Sequence, residues 1–456
     1  MPTRQRQLTL TNSSVDILNA IRNNASTQYQ NKIPVATADA DVIKSIGAVL
    51  MDYPTLLNEF TNALINRIGR VYIQSKLYEN PLAVLKKGIL EFGESTEEIF
   101  IAMAKPYQYD PEFAETNVFK REIPDLKSAF HVINYKKFFK TTVQEQDWNR
   151  AFLSAEGVSD VLEKTIEQLY TGANYCEYMA TKYLCAKTIL NGLCYPVSVT
   201  PVTDTATAQD LIVDVKKTAN DFTFMKEKYN IAKVKTKCDK SKQVILIDQD
   251  ADALIDVKVL AVAFNMSVTD IQTRKIVVDG FGELDGECLA DLFEDTDSTY
   301  HEFTSAEKEA LNSIPLMLMD EDFLMIYDNL IEMRDLENGE GLSRNYWLHN
   351  WKTLSISPFA NCAIFVPATP TVTGITVTPS TATVAPGSTL PLVVEVATTN
   401  FAPETVTYAS NNANVTVNAS GVVTVGDDAT GTATITVTSV YDSTVTATVA
   451  LTISGE

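Results

Sequence analysis

Residues 158–191 read VSDVLEKTIEQLYTGANYCEYMATKYLCAKTILN, with Val158, Leu162, Ile166, Leu169, Ala173, Cys176, Ala180 and Leu184 spaced three or four apart. That is the period of one helical face. At 1.5 Å per residue it predicts a single helix about 50 Å long, ended by Gly192 and Pro196. A helix of that length is a structural spine, and the rest of the chain divides into the parts before and after it.

The 456-residue chain is too long for one ordinary core, so two or more domains are expected. Apolar content of 45% and charged content of 21% are those of a globular protein. A formal net charge of −21 argues against a general grip on nucleic acid, which needs a basic surface. The segment MPTRQRQLTLTNSSVD (1–16) has two arginines but no apolar run behind them, so it does not read as a signal peptide, and no stretch reaches the length of a bilayer span. Cys176, Cys185, Cys194, Cys238, Cys288 and Cys362 include no CxxC pair and are expected as buried free thiols.

Residues 1–36 are polar, with one short amphipathic piece, VDILNAIRN (15–23), and read as an arm. A helix is expected from Asp39 to Ile68, broken at Pro54 and ended by Gly69. Residues 71–147 are punctuated by turn formers such as Asn80-Pro81, Phe92-Gly93 and Ile123-Pro124, and are rich in aromatics. They read as extended strands projecting from the body, able to dock on another subunit. Past the spine, KQVILID (242–248), RKIVVDG (274–280) and FLMIYDNL (323–330) read as strands and DALIDVKVLAVAFN (252–265) as a helix. NYWLHNWKTLSISPFANCAIFV (345–366) reads as one long closing strand, followed by a Pro/Thr linker at 367–374.

Sites for chemistry are sparse. Asp248, Asp250, Asp252 and Asp256 imitate a calcium loop, but Ala253 and Val259 stand where Gly and Glu are needed, so an acidic turn is the reading. VVDGFGELDG (277–286) resembles a dinucleotide fingerprint with its last glycine displaced by one. His131, His301 and His349 are the three histidines, and LFEDTDSTYHEF (292–303) reads as a solvated acidic loop. No catalytic residue, cofactor site or metal site is expected.

The tail is of another kind. From Pro367 onward there is no Lys, Arg or His. Strict alternation places Ile375, Val377, Val384, Leu390, Leu392, Val394 and Val396 on one face, and Pro386-Gly387 suits a type II turn. About 85 residues of such strands read as an all-β immunoglobulin-like sandwich. The segment resembles the group 2 bacterial immunoglobulin-like domain in Val377-Thr378-Pro379, Ala382-Thr383-Val384, Gly387, Ser410-Asn411-Asn412, Gly421-Val422-Val423 and Gly431-Thr432-Ala433-Thr434-Ile435, with Tyr408 where the family usually has Trp.

The first 366 residues resemble the major capsid proteins of phi-29-like short-tailed bacteriophages. The carrying segments, in order, are NAIRN (19–23), NPLAVLKKG (80–88), EEIF (97–100), QYDPEFAETNVFKREIPDLKSAFH (108–131), DADALIDVKVLAVAFNMSVTD (250–270), VVDGF (277–281), FLMIYDNL (323–330) and residues 345–366. Residues 283–314 look like an insertion relative to the family. The resemblance implies an α+β HK-97-like capsid fold followed by the all-β sandwich (375–456). It gives 1–36 the role of N-terminal arm, 71–147 that of the extended loop lying over the adjacent subunit, 158–191 that of the spine helix, and 197–344 that of the axial domain. It implies a homo-oligomer, pentamers and hexamers of an icosahedral or prolate head shell assembled in the host bacterial cytoplasm. A scaffolding protein, a portal protein and packaged double-stranded DNA are the implied partners. Lys86, Lys87, Lys120, Arg121 and Glu122 of the extended loop are then candidates for inter-subunit contacts, and the tail, without a basic residue, is expected on the virion exterior. Two other readings remain. A bacterial surface adhesin would share the tail but should carry an export signal, and an enzyme with an accessory sandwich should show a convergent site.

Overall fold

The computed structural model describes residues 14–37, 39–57, 59–60, 78–90, 95–107, 121–144, 157–255, 274–293 and 300–454. Three helices come first, α1 (Ser14–Asn24), α2 (Thr27–Lys32) and α3 (Ala40–Asp52). The stretch expected as an arm is instead packed within its own chain from residue 15 on. Leu18, Ile21, Tyr29, Ile33 and Ala36 are buried with Ile43, Ile46, Leu50, Leu169, Ala173, Tyr346 and Leu348. The polar residues that suggested an arm satisfy backbone: Asn19 both donates to the Ala36 carbonyl (2.9 Å) and accepts from its amide (2.8 Å), and Arg22 donates to the carbonyls of Ile33 (2.7 Å) and Gln30 (2.9 Å). Residues 1–13 lie outside the described residues. Asp39 caps α3 by accepting from the Asp41 amide, and the helix ends at Tyr53, ahead of Pro54, as the sequence requires. The end expected at Gly69 lies outside the described residues.

A 3₁₀ turn (Pro81–Leu85) leads into β1 (Lys86–Ile89), then β2 (Ser95–Ile101), β3 (Leu126–Val132) and β4 (Tyr135–Gln144). The spine comes next as α4 (Gly157–Leu190), 34 residues and so about 51 Å long. Beyond it come β5 (Tyr195–Ser198), α5 (Thr205–Phe222), β6 (Gln243–Asp248), α6 (Gln249–Leu254), β7 (Lys275–Val278), α7 (Gly286–Phe293) and α8 (Ser305–Asn312). The unit closes with β8 (Leu316–Asp320), β9 (Leu324–Asn338), β10 (Ser343–Ile356) and β11 (Cys362–Val366).

The two larger sheets of this body are ordered β1-β9-β10-β4 and β5-β11-β8-β6-β7, and β2 pairs with β3 in a separate two-stranded sheet. The five-stranded sheet is buried on both faces, which explains its unbroken apolar runs. Val244, Leu246, Met317, Met319, Cys362 and Ile364 face the layer of α4. Ile245, Ile247, Leu316, Leu318, Ala363 and Phe365 face α5. Residues 345–366 are therefore two strands in two sheets and not one. The break is at Ser357-Pro358: proline has no amide to donate, and the Ser357 hydroxyl takes the Phe359 amide at 3.2 Å. As β11 sits inside the five-stranded sheet, a boundary at 344/345 does not separate structural units.

The helix expected over 252–265 starts earlier, capped by Asp248, and ends at Leu254, with Ile255 extended; residues 256–273 lie outside the described residues. Of the other calcium-loop acids, Asp252 pairs with Lys275, and Asp256 lies outside the described residues. The acidic loop expected at 292–303 is anchored at both ends, since Leu292 and Phe303 are buried and Phe293, Tyr300 and Phe303 pack around Tyr183. In the displaced glycine motif Gly282 lies against α8: a Cβ there would meet the Lys308 carbonyl oxygen at 2.3 Å.

The linker is shorter than expected. Strand pairing begins at Thr371, opposite Thr399, so only 367–370 lies between the last strand of the body and the first of the sandwich. The sandwich runs from β12 (Thr371–Thr378) through β13 (Thr381–Val384), β14 (Thr389–Pro391), β15 (Val393–Thr399), β16 (Val406–Ser410), β17 (Val415–Val417), β18 (Val422–Val425) and β19 (Gly431–Ser439) to β20 (Thr446–Ile453). Val377, Val384, Leu392, Val423, Ile435, Val437, Val449 and Leu451 form its core. Gly387 has φ +73° and the Ser388 amide closes the turn on the Ala385 carbonyl, the geometry expected of Pro386-Gly387.

Candidate assembly interface

The extended segment is fixed at its root by a group of four charges, of which Glu177 and Lys352 are buried and Lys86 and Asp328 partly buried. Lys86 at the start of β1 lies 2.7 Å from Glu177 of α4 and 3.3 Å from Asp328 of β9. Lys352 of β10 lies 2.7 Å from Glu177 and also pairs with Asp328. Asn80 donates to Glu177 as well, at 2.9 Å, while its side-chain oxygen caps the 3₁₀ turn through the Leu82 amide. Two cations and two anions balance, so the group is neutral as a whole. Burial works to lower the Lys86 pKa, but Glu177 and Asp328 outweigh it and hold the ammonium above its ordinary value.

From this root the chain passes to the β2–β3 hairpin. Its two faces differ. On the inner face Glu98 accepts from Ser357 (2.8 Å) and lies 3.3 Å from His131 Nε2, while His131 Nδ1 is 2.8 Å from Ser355 Oγ. Phe100 stacks on Phe359 with centroids 5.6 Å apart, and Lys127 donates to the Ala232 carbonyl at 2.9 Å. The contacts with Ser357 and Phe359 tie the hairpin to the turn between β10 and β11, that with Ser355 ties it to β10, and that with Ala232 to the segment between α5 and β6. The serine, histidine and carboxylate occur in the order of a hydrolytic relay, but His131 is only 3% exposed and Ser355 is also placed to donate to the Met325 carbonyl. What the trio does here is join strands.

The outer face is exposed and largely apolar, with Ser95, Glu97 and Ser128 among its five apolar side chains. Strand pairing sets Ile99 opposite Ser128, Ile101 opposite Leu126, and Phe130 and Val132 on the same side. Ile99 (57%), Ile101 (61%), Leu126 (56%), Phe130 (65%) and Val132 (56%) are all more than half exposed. Exposed apolar clusters of this kind are characteristic of interaction surfaces.

The five residues singled out from sequence divide. Lys86 is spent within its own chain, in the root group. Lys87 pairs with Asp322 of the same chain. Arg121 and Glu122 are exposed beside the hairpin, and Lys120 lies outside the described residues. The sequence reading missed Glu177, Asp328 and Lys352, which no local spacing relates to Lys86. It also missed the outer row, although the alternation in STEEIFI (95–101) was available. Among the described residues no group of three or more His, Cys, Asp or Glu is placed to hold a metal ion, and no helix is long and apolar enough to cross a membrane.

A family model for the Phi29-like phage major capsid protein matches residues 18–366, and one for the bacterial Ig-like domain (group 2) matches residues 371–449. The major capsid protein of Bacillus phage B103 is 33% identical over 419 residues, covering 90% of this chain and 87% of the relative. That of Bacillus phage GA-1 is 32% identical over 408 residues, covering 88% and 80%. The capsid structure of Staphylococcus phage Andhra aligns with a TM-score of 0.50 at 17% identity, over 65% of this chain and 86% of that one.

Proposed function

Since the chain belongs to the Phi29-like phage major capsid protein family, and so forms the head shell of a tailed phage by homo-oligomeric assembly, we propose that the bare outer face of the β2–β3 hairpin is the surface each subunit lays on its neighbour. The single observation carrying this is the row Ile99, Ile101, Leu126, Phe130 and Val132, apolar and exposed on a hairpin whose other face is docked. Covering the exposed half of five such side chains contributes about 1 kcal/mol each before the costs of association. One such contact is weak, and a closed shell repeats it around every subunit. Arg121 and Glu122 flank this face and, with Lys120, supply charge contacts to the neighbour, whereas Lys86 and Lys87 act by holding the root. The role is structural and not enzymatic. A scaffolding protein, a portal and double-stranded DNA are the partners of the assembled shell, and an acidic wall suits contact with DNA that must stay mobile.

The test is Ile101→Asp with Phe130→Asp, expressed together with the scaffolding partner and viewed by electron microscopy. The expected result is soluble, folded subunits that form no shells. Normal shells would refute the assignment of the face, and normal shells from Lys120→Glu with Arg121→Glu would refute the flanking charge contacts.

A further inference from the structure

The six cysteines lie on the spine or on elements packed around the five-stranded sheet, and four of them meet in pairs. Cys194 and Cys362 approach to 3.1 Å between Sγ atoms, and both are fully buried. Cys176 of α4 and Cys288 of α7 approach to the same 3.1 Å, but both are only half-buried. Cys185 and Cys238 are buried.

We propose that Cys176 and Cys288 form a dithiol site that closes to a disulfide when the chain meets a small-molecule disulfide such as oxidised glutathione. The geometry is nearly made. A disulfide needs an S–S distance of about 2.05 Å, so the two sulfurs must close by about 1 Å, within reach of side-chain rotation. Their helices are already registered by the bonds around them. Tyr175 Oη donates to Asp285 Oδ2 at 2.9 Å, and the Cys288 amide donates to Asp285 Oδ1 at 3.1 Å, so the residue before one cysteine and the cap before the other are joined. The hydrogen bond from the Cys288 thiol eases deprotonation of Cys176, while burial and the carboxylates of Asp285 and Asp291 oppose it.

The step is an exchange. The Cys176 thiolate attacks one sulfur of oxidised glutathione, and one glutathione thiolate leaves. Cys288, losing its proton, attacks Cys176 Sγ in the mixed disulfide, and the second glutathione thiolate leaves. Two protein thiols become one disulfide and one oxidised glutathione becomes two reduced molecules, with the thiol protons passing to the leaving thiolates. The product closes a loop of about 110 residues and fastens α7 to the spine. In a reducing cytoplasm the site stays open, and it closes once the chain reaches an oxidising medium. Nothing here depends on which face the hairpin covers.

The experiment uses the full chain, purified reduced and then incubated with oxidised glutathione. Native alkylation, digestion without reductant and mass spectrometry read the result. The expected outcome is loss of two alkylatable thiols and a linked peptide pair containing Cys176 and Cys288, with Cys194 and Cys362 still unlinked because they are sealed from the reagent. Thermal unfolding then shifts up by about 5 °C, and Cys288→Ser abolishes both the link and the shift. Cys176 and Cys288 remaining alkylatable, a glutathione adduct persisting on Cys176, or Cys194–Cys362 linking first would each overturn the proposal. The peptide map of the unaltered chain decides even if the variant does not fold.

Discussion

Replacing Lys352 by Met should be among the most damaging single changes in the body of the protein. Lys352 is 1% exposed and touches two carboxylates, Glu177 at 2.7 Å and Asp328. Removing its charge leaves Glu177 and Asp328 sharing Lys86 alone, a net negative charge where Glu177 has a side-chain exposure of 2%. Breaking a buried ion pair from one side costs about 3–5 kcal/mol, mostly because the partner is stranded. At an m-value of about 3 kcal/mol/M, the urea midpoint falls by roughly 1–1.7 M. The companion Lys352→Met with Glu177→Gln removes one charge of each sign and keeps the Lys86–Asp328 contact at 3.3 Å. It restores neutrality, and should cost only about 1–2 kcal/mol, the worth of the hydrogen bonds lost. The double variant is thus more stable than the single one. Tryptophan fluorescence reads the right unit, because Trp148, Trp347 and Trp351 all precede the sandwich. A single variant costing under about 1 kcal/mol, or a double variant equal to the sum of its singles, would refute the view that the four charges act as one neutral group.

The same geometry sets other outcomes. Burial works to raise the Asp279 pKa, but hydrogen bonds from Lys182 and Tyr178 override it and hold the carboxyl below its ordinary 3.8. Its contribution is therefore present above pH 3.8 and lost as pH falls through the depressed value; Asp279→Asn should flatten the acid limb of stability for the segment packed on the spine, read by hydrogen exchange over 279–293. Gly192 has φ +63°, and a Cβ there would meet the Ala402 oxygen at 3.3 Å and the Pro403 Cα at 3.4 Å. Gly192→Ala should destabilise by about 1 kcal/mol and make the sandwich easier to release by limited proteolysis. Antibody against residues 374–456 should label intact particles if the tail is external; unlabelled particles would place it inside.

Much of the architecture was legible because it rests on periodicity. The spine helix shows its 3.6-residue stripe, and β6 shows the unbroken apolar run of a strand covered on both sides, whereas the similar run of β8 went unread. The sandwich shows strict alternation with glycine at its turns. What stayed hidden has specific causes. Polar residues of α1 and α2 looked solvated because nothing local says that Asn19 will hold the Ala36 backbone or Arg22 the carbonyl of Ile33. The root charges come from four separate elements, so Lys86 read as a free surface cation when it is committed to Glu177 and Asp328 of its own chain. The single strand expected at 345–366 overlooked Pro358, which ends one sheet and lets the chain enter another.

The hairpin carries the most informative mismatch. In STEEIFI the residues turned toward the body are Thr96, Glu98 and Phe100, while Ile99 and Ile101 face outward. A strand of a lone globular protein sorts the other way, apolar side in. Here the inner positions are committed to hydrogen bonds, Glu98 to Ser357 and His131, that fix where the hairpin lies. A one-residue slip would bury both isoleucines but would strand Glu98 and its partners, so register cannot relax to hide the outer row. The polar inner face thus holds the apolar face open. A subunit built this way is held short of its own best burial, a deficit that the proposed covering of the row by a second copy would make good. The charges of the segment divide in the same way: Lys86 and Lys87 pair within their own chain, and Arg121 and Glu122 are exposed beside the hairpin.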